Sequence, residues 1–245
     1  MERISVLGVE FDNVTLCEAK DRLIDCIEKD GALYVVTPNP EFVYACYKDE
    51  SLKPLLNKAG LCVPDGIGVI YAAKILKTPL RERVPGIELG ESLIAWAAEN
   101  GRSVFFLGAK PGVAEAAGEK LREKYPGLII AGCHDGYFKE DAPVVREIAD
   151  SKADIVLCCM GFPRQEKFMS EHLAASGANV MLGLGGSLDV FAGNVKRAPA
   201  FFCKTGLEWF YRLMKEPSRI GRMMKLPKFL LIVIRERLFK SGKKE

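Results

Sequence analysis

The chain has 245 residues, with 35 Lys+Arg against 32 Asp+Glu and a formal net charge of +3. About half the residues are hydrophobic and about a quarter are charged, which excludes a disordered tail, a collagen and a coiled coil. A near-neutral total also argues against a general nucleic-acid binder. At about 150 residues per domain, the length fits one large domain or one domain with an appendage, enough for a sizeable core.

Apolar runs alternate with helical patterns along the chain. Ile4 to Val9 reads as a strand. Thr15 followed by Glu18 forms a capping box that opens a helix to about Glu28. Leu33 to Val36 is a short, wholly apolar strand that runs into Thr37-Pro38-Asn39-Pro40-Glu41, a loop stiffened by two prolines. Helical patterns follow to about Ala59. A brief strand, Leu61 to Val63, ends in Pro64-Asp65-Gly66, and a helix runs on to about Leu76. Further strands are expected at Val104 to Leu107, Leu128 to Ala131, Ile155 to Met160 and Val180 to Leu184. Strands apolar throughout and separated by helices predict an α/β fold: a Rossmann-like, mostly parallel sheet with helices on both faces.

From Lys196 the composition changes. Residues 196–245 hold 14 Lys+Arg and 4 Asp+Glu, a charge of +10, and residues 1–195 carry the balance of −7. The first 195 residues read as the α/β core and residues 196–245 as a basic helical appendage. Phe201 to Lys215 is amphipathic, Pro217 and Pro227 are expected at helix starts, and Phe229 to Ile234 is apolar. No apolar run approaches the roughly 20 residues of a membrane span, and the N-terminus has no signal-peptide pattern. The eight cysteines include no CxxC and there are only two histidines, so buried reduced thiols are expected rather than a metal site.

In an open α/β sheet, ligands bind beyond the carboxyl ends of the strands. The loops there are 37–41, 64–66, 108–112, 134–138, 161–166 and 183–189. None matches GxxxxGK[ST] or GxGxxG. Gly108 to Gly112, and Gly183 through Gly185 and Gly186 to Ser187, each follow a strand and open a helix; each is a tight turn or a phosphate cradle. Asp65 is a helix cap or a general base held over the crevice. Thr37 and Asn39 suit sugar hydroxyls or an acetamido group. Gln165 would hold sugar or phosphate, or begin its helix. Arg83 would meet a phosphate or be solvated, and Tyr137 would stack on a base or pack. No DxD occurs to hold a metal on a pyrophosphate, so a departing diphosphate would rely on arginines and helix N-termini. Arg212, Arg219 and Arg222 are the appendage candidates, with solvated or lipid-facing side chains as the other reading.

Seven of these segments stand in order. They are Thr37-Pro38-Asn39-Pro40-Glu41, Pro64-Asp65-Gly66, Arg83-Val84-Pro85-Gly86, Phe106-Leu107-Gly108, Gly136-Tyr137-Phe138, Gly161 to Glu166, and Gly183 to Asp189 leading to Arg197-Ala198-Pro199. Together they resemble the WecG/TagA/CpsF family of glycosyltransferases over about residues 3–199, and the basic appendage resembles its TagA branch. Glu88 stands where many members carry Asp. The resemblance implies inverting transfer of N-acetylmannosamine from its UDP donor to the 4-hydroxyl of N-acetylglucosamine on undecaprenyl diphosphate, a step of wall teichoic acid synthesis. It implies no cofactor and no metal. It makes Asp65 the base in a catalytic group with Thr37 and Asn39. Gln165 would hold sugar, Tyr137 and Asp189 the uridine, and Arg83 with the appendage arginines the diphosphate.

The lipid acceptor implies work at the cytoplasmic leaflet, with residues 196–245 docked on an anionic membrane, folding over the pocket and delivering an arginine. In solution, the surface that the appendage would cover is expected to support self-association. Another hexosyl or uronosyl donor within the family is an alternative. Other classes are a nucleotide-dependent oxidoreductase, against which the missing GxGxxG argues, and a non-catalytic membrane module.

Overall fold

A computed structural model describes residues 2–199, 201–202, 205–215 and 220–241. Six strands form one wholly parallel sheet: β3 (Leu33–Val36), β4 (Leu61–Cys62), β5 (Ser103–Gly108), β6 (Ile129–His134), β7 (Ile155–Cys159) and β8 (Val180–Gly183). Their spatial order is β4-β3-β8-β7-β5-β6. The wholly apolar runs account for this, because side chains alternate between two buried faces. In β5, Phe105 and Leu107 point into one core while Val104 and Phe106 point into the other.

Helices α1 (Leu16–Glu28), α5 (Gly86–Glu99), α6 (Val113–Lys124) and the short α9 (Ser187–Phe191) cover the Val104 face, through residues such as Leu23, Leu93, Ala117 and Leu188. The other face is covered by α2 (Pro40–Lys48), α3 (Lys53–Asn57), α4 (Ile67–Ile75), α7 (Asp141–Ser151) and α8 (Arg164–Ser176). A single 3-10 turn, Glu50–Leu52, joins α2 to α3. The expected capping box is formed: Thr15 caps α1 by accepting from Glu18 N, and the Glu18 carboxylate accepts in turn from Thr15 N.

The first element departs from expectation. Ile4 to Val9 is not one strand. It turns at Leu7-Gly8 and pairs β1 (Arg3–Val6) with β2 (Val9–Asp12) as an antiparallel hairpin. Leu7 and Gly8 both adopt positive φ, 53° and 84°, as a tight two-residue hairpin turn requires. The hairpin seals one edge of the main sheet. Asp12 is buried; its Oδ2 accepts from Cys62 N of edge strand β4 at 2.8 Å, and its Oδ1 lies 3.2 Å from Arg3 and 3.8 Å from Arg22.

The basic segment is helical where described: α10 (Glu208–Lys215), α11 (Ile220–Met223) and α12 (Lys225–Ser241). The amphipathic stretch expected from Phe201 to Lys215 is broken by a turn at Thr205-Gly206 before α10 begins. Pro227 lies in the first turn of α12, and Pro217 lies outside the described residues. Phe229 and Val233 of α12 are fully buried and join the core beside α2 and α4. Leu231, Ile234, Leu238 and Phe239 face outward and line a shallow apolar depression of about 340 Å³ with Arg235. No helix among the described residues is long and apolar enough to cross a membrane.

Candidate active site

The carboxyl ends of all six strands lie on one edge of the sheet, and their loops are stitched to one another. At one end, Asp65 N donates to Pro38 O at 3.2 Å, and Val84 N donates to Pro64 O at 3.0 Å. The segment carrying Asp65 is thereby gripped between the β3 exit and the segment carrying Arg83. Asp65 itself is half-buried, at the turn that opens α4. Thr37 is buried, and its Oγ1 donates to Gly183 O at 2.9 Å, which ties the end of β3 to the end of β8. Asn39 caps α2: its Oδ1 accepts from Glu41 N at 2.8 Å and Phe42 N at 3.3 Å.

Gln165 is the junction of the two central loops. It is 1% exposed. Its Oε1 accepts from Gly161 N at 3.1 Å and from Gly185 N at 3.0 Å, so one oxygen joins the β7 and β8 exits. A Cβ on Gly183 would lie 2.8 Å from Gln165 Nε2, so the carboxamide occupies the space a side chain there would need. The other end of the site is equally fixed. Gly108, with φ of 130°, approaches Cys159 O so closely that an added Cβ would lie 2.4 Å from it. Ala109 N donates to that carbonyl, and Gly136 N donates to Ala109 O at 2.9 Å. Arg164 donates to the Gly136 and Phe138 carbonyls and stacks on the Phe138 ring, 4.5 Å from its centroid.

The expected core residues lie on this edge or against it. Tyr137 is 67% exposed, its backbone held by Asp135 in a tight turn, so its ring is open to a planar ligand. Asp189 is half-buried in the first turn of α9, with its carbonyl accepting from Val195 N. A Cβ at Gly185 or Gly186 would meet nothing within 4 Å. Arg83 lies 3.7 Å from Glu208 of α10, which brings the basic segment against the loop beside Asp65. Leu226 of α12 presses on Gly68 of α4, three residues from Asp65. Arg219 lies outside the described residues, as do the side chains of Arg212 and Arg222 on α10 and α11.

Three features were not singled out from the sequence, although the segment from Gly161 to Glu166 and the segment around Arg197 contained them. Arg164 clamps the β6 exit. Arg197 pairs with Glu88 in the first turn of α5, joining the end of the 183–199 segment to the helix after Arg83. Glu166, fully buried, accepts from Gln165 Nε2 at 2.9 Å. Burial raises its pKa to about 7, partly offset by that hydrogen bond and one from its own backbone N–H. Burial likewise pushes the Cys46 and Cys159 thiols up to about 12, which keeps them protonated and unreactive. Among the described residues, Asp141, Glu171 and His172 bring ligand atoms within 4.8 Å of one another, on helices α7 and α8 rather than at the strand ends.

Known proteins fit this arrangement. The model of the glycosyl transferase WecG/TagA/CpsF family matches residues 4–243. The chain is 40% identical over 231 residues to the N-acetylglucosaminyldiphosphoundecaprenol N-acetyl-beta-D-mannosaminyltransferase of Staphylococcus aureus strain MW2, covering 93% of this chain and 91% of that one. The same identity and coverage hold for the enzymes of the same name from strains NCTC 8325 and COL. The oxidoreductase and the non-catalytic membrane module are thereby set aside, and the chain belongs to the WecG/TagA/CpsF family of glycosyltransferases.

Proposed function

We propose that the enzyme transfers N-acetylmannosamine from UDP-N-acetylmannosamine to the 4-hydroxyl of N-acetylglucosamine on undecaprenyl diphosphate, forming a β(1→4) linkage that serves wall teichoic acid synthesis. The observation that carries this reading is the joining of all seven family segments along one sheet edge, in a chain 40% identical to staphylococcal enzymes of that name.

In this reading, the Asp65 carboxylate takes the proton of the acceptor hydroxyl as its oxygen attacks the anomeric carbon. The bond from that carbon to the diphosphate oxygen breaks, its electron pair leaves with UDP, and configuration inverts. The fixed approach of Pro64-Asp65-Gly66 supports the assignment, because a base must meet its proton at hydrogen-bond distance. The negative charge gathering on UDP is met by backbone N–H groups of the loop after Gly108 and of Gly186, the Gly185 N–H being held by Gln165, and by arginines, with Arg83 from the core and Arg212, Arg219 or Arg222 from the basic segment. Tyr137 stacks on the uracil and Asp189 accepts hydrogen bonds from the uridine. Thr37, Asn39 and Gln165 act largely as fixings for the sugar pocket, since their side chains already bond to neighbouring backbone groups.

Residues 196–245 are proposed as the membrane-docking part of a peripheral enzyme on the inner face of the cell membrane. With the segment lifted, the exposed core surface is a site for self-association in solution. No cofactor or metal is required in this scheme.

The test is UDP release with UDP-N-acetylmannosamine and a short-chain lipid-linked acceptor. Asp65→Ala should lower turnover by about 10²- to 10⁴-fold while UDP affinity by calorimetry stays within about twofold. Turnover should persist in EDTA. Full turnover by Asp65→Ala would remove the base, and equal turnover with the uronic acid donor would remove the sugar assignment.

A further inference from the structure

Glu166 is an expensive residue in its position. It occupies the first turn of α8, fully buried, where a carboxylate loses its hydration. The titratable groups facing it are the Tyr34 hydroxyl on β3, the Cys46 thiol on α2 and the Cys158 thiol on β7. All three are neutral at physiological pH, so none of them offsets the cost. Its Oε2 is buried and meets no donor from another described residue. The contact it does make, from Gln165 Nε2 at 2.9 Å, is the one that matters for the site.

A carboxamide has one accepting end and one donating end. As it stands, Gln165 turns its oxygen to the Gly161 and Gly185 amides and its nitrogen to Glu166. Turned over, its nitrogen would face two N–H donors and its oxygen a carboxylate, so three hydrogen bonds would become three repulsions. An acceptor at position 166 therefore reinforces the orientation that the two glycine amides ask of Gln165. It acts through a charge-assisted bond, which is stronger than one between neutral groups.

We propose that Glu166 is a positioning residue that fixes the Gln165 carboxamide and, through it, the spacing of the Gly161 and Gly185 loops that receive the UDP-sugar. This rests on the reading of the strand-end crevice as the donor site. Ionisation of Glu166 near pH 7 makes the hold adjustable. Above that pH the carboxylate grips Gln165, and below it the neutral carboxyl grips less.

The experiment follows amide hydrogen exchange at Gly161 and Gly185, and UDP affinity by calorimetry, in the full chain, Glu166→Gln and Glu166→Leu, at about pH 6 and pH 8. In the full chain, protection of both amides, corrected for intrinsic exchange, should fall several-fold from the higher pH to the lower. Glu166→Gln keeps an acceptor but cannot ionise, so it should show no such fall. Comparing the two cancels the titration of UDP's own phosphate. Glu166→Leu should lose about tenfold in protection and in UDP affinity at both pH values. Identical pH responses in the full chain and Glu166→Gln, or unchanged protection in Glu166→Leu, would overturn the proposal. If Glu166→Leu does not fold, the Glu166→Gln comparison still decides. Protection that responds while UDP affinity does not would leave the loop positioning standing and remove UDP from the crevice.

Discussion

Glu166 also makes stability and site order pull in opposite directions with pH. Its pKa rises from an ordinary 4.5 to about 7 on folding, so the folded state holds the proton more tightly than the unfolded chain. Stability therefore falls as pH rises from about 4.5 to about 7 and is level above that, by roughly 3 kcal/mol in all. Glu166→Gln should abolish this slope, measured by urea unfolding across that range. A parallel slope in both proteins would show that the carboxylate is hydrated in the fold. The contrast with Asn39 shows what residue types alone convey. An Asn at a strand end suits an acetamido group, and nothing in the sequence shows that its oxygen is spent capping α2. Gln165 was legible as a candidate at a strand end, but its partners were not, because Gly161 and Gly185 come together only once β7 and β8 lie side by side. Glu166 gave no signal of burial, since a Glu in the first turn of a helix is ordinarily a solvated one.

The elements were legible where hydrophobic periodicity was strong and less so where it was short. Five of the six sheet strands fall within a residue or two of the apolar runs that predict them, because a strand buried on both faces leaves no room for polar residues, while β6 at the sheet's rim, nowhere fully buried, runs three residues past its predicted end to His134. The hairpin escaped because Ile4 to Val9 spans a turn whose signal is one glycine, and because its second strand continues into the polar Glu10 and Asp12. That misreading hid the task of Asp12, which accepts the outward N–H of Cys62 and so satisfies the edge of the sheet. Asp12→Ala would leave that buried donor unpaired and remove the carboxylate that faces Arg3 and Arg22. It should cost about 2 kcal/mol, or on the order of 5 °C in Tm, seen by differential scanning calorimetry. An unchanged Tm would show that the hairpin contributes little to the edge.

At the scale of the molecule, the near-neutral total conceals an acidic body and a basic end, and the fold joins the two more closely than the charge split suggests. The sequence marked the basic end as amphipathic. It did not reveal that Phe229 and Val233 complete the core while Leu231 and Leu238 turn outward, because six consecutive apolar residues do not declare which face is inner. The outward face makes a test of membrane docking possible without damage to the core. Leu231→Ser with Leu238→Ser should reduce binding to anionic vesicles by about tenfold or more and leave Tm unchanged. Raising salt from about 0.1 to 0.5 M should weaken wild-type binding by screening its lysines and arginines. Binding that ignores both changes would place docking elsewhere.

The hairpin at β4 has a consequence for how copies of this enzyme can meet. A strand-to-strand contact needs an open row of backbone donors and acceptors. One rim of the sheet is occupied by Asp12 and its hairpin, which leaves β6 at the opposite rim. A second molecule joining there would present the same rim about a two-fold axis, and the six-stranded sheets of the pair would have no further rim to offer. Association along the sheet would thus stop at two and would not propagate into a fibre.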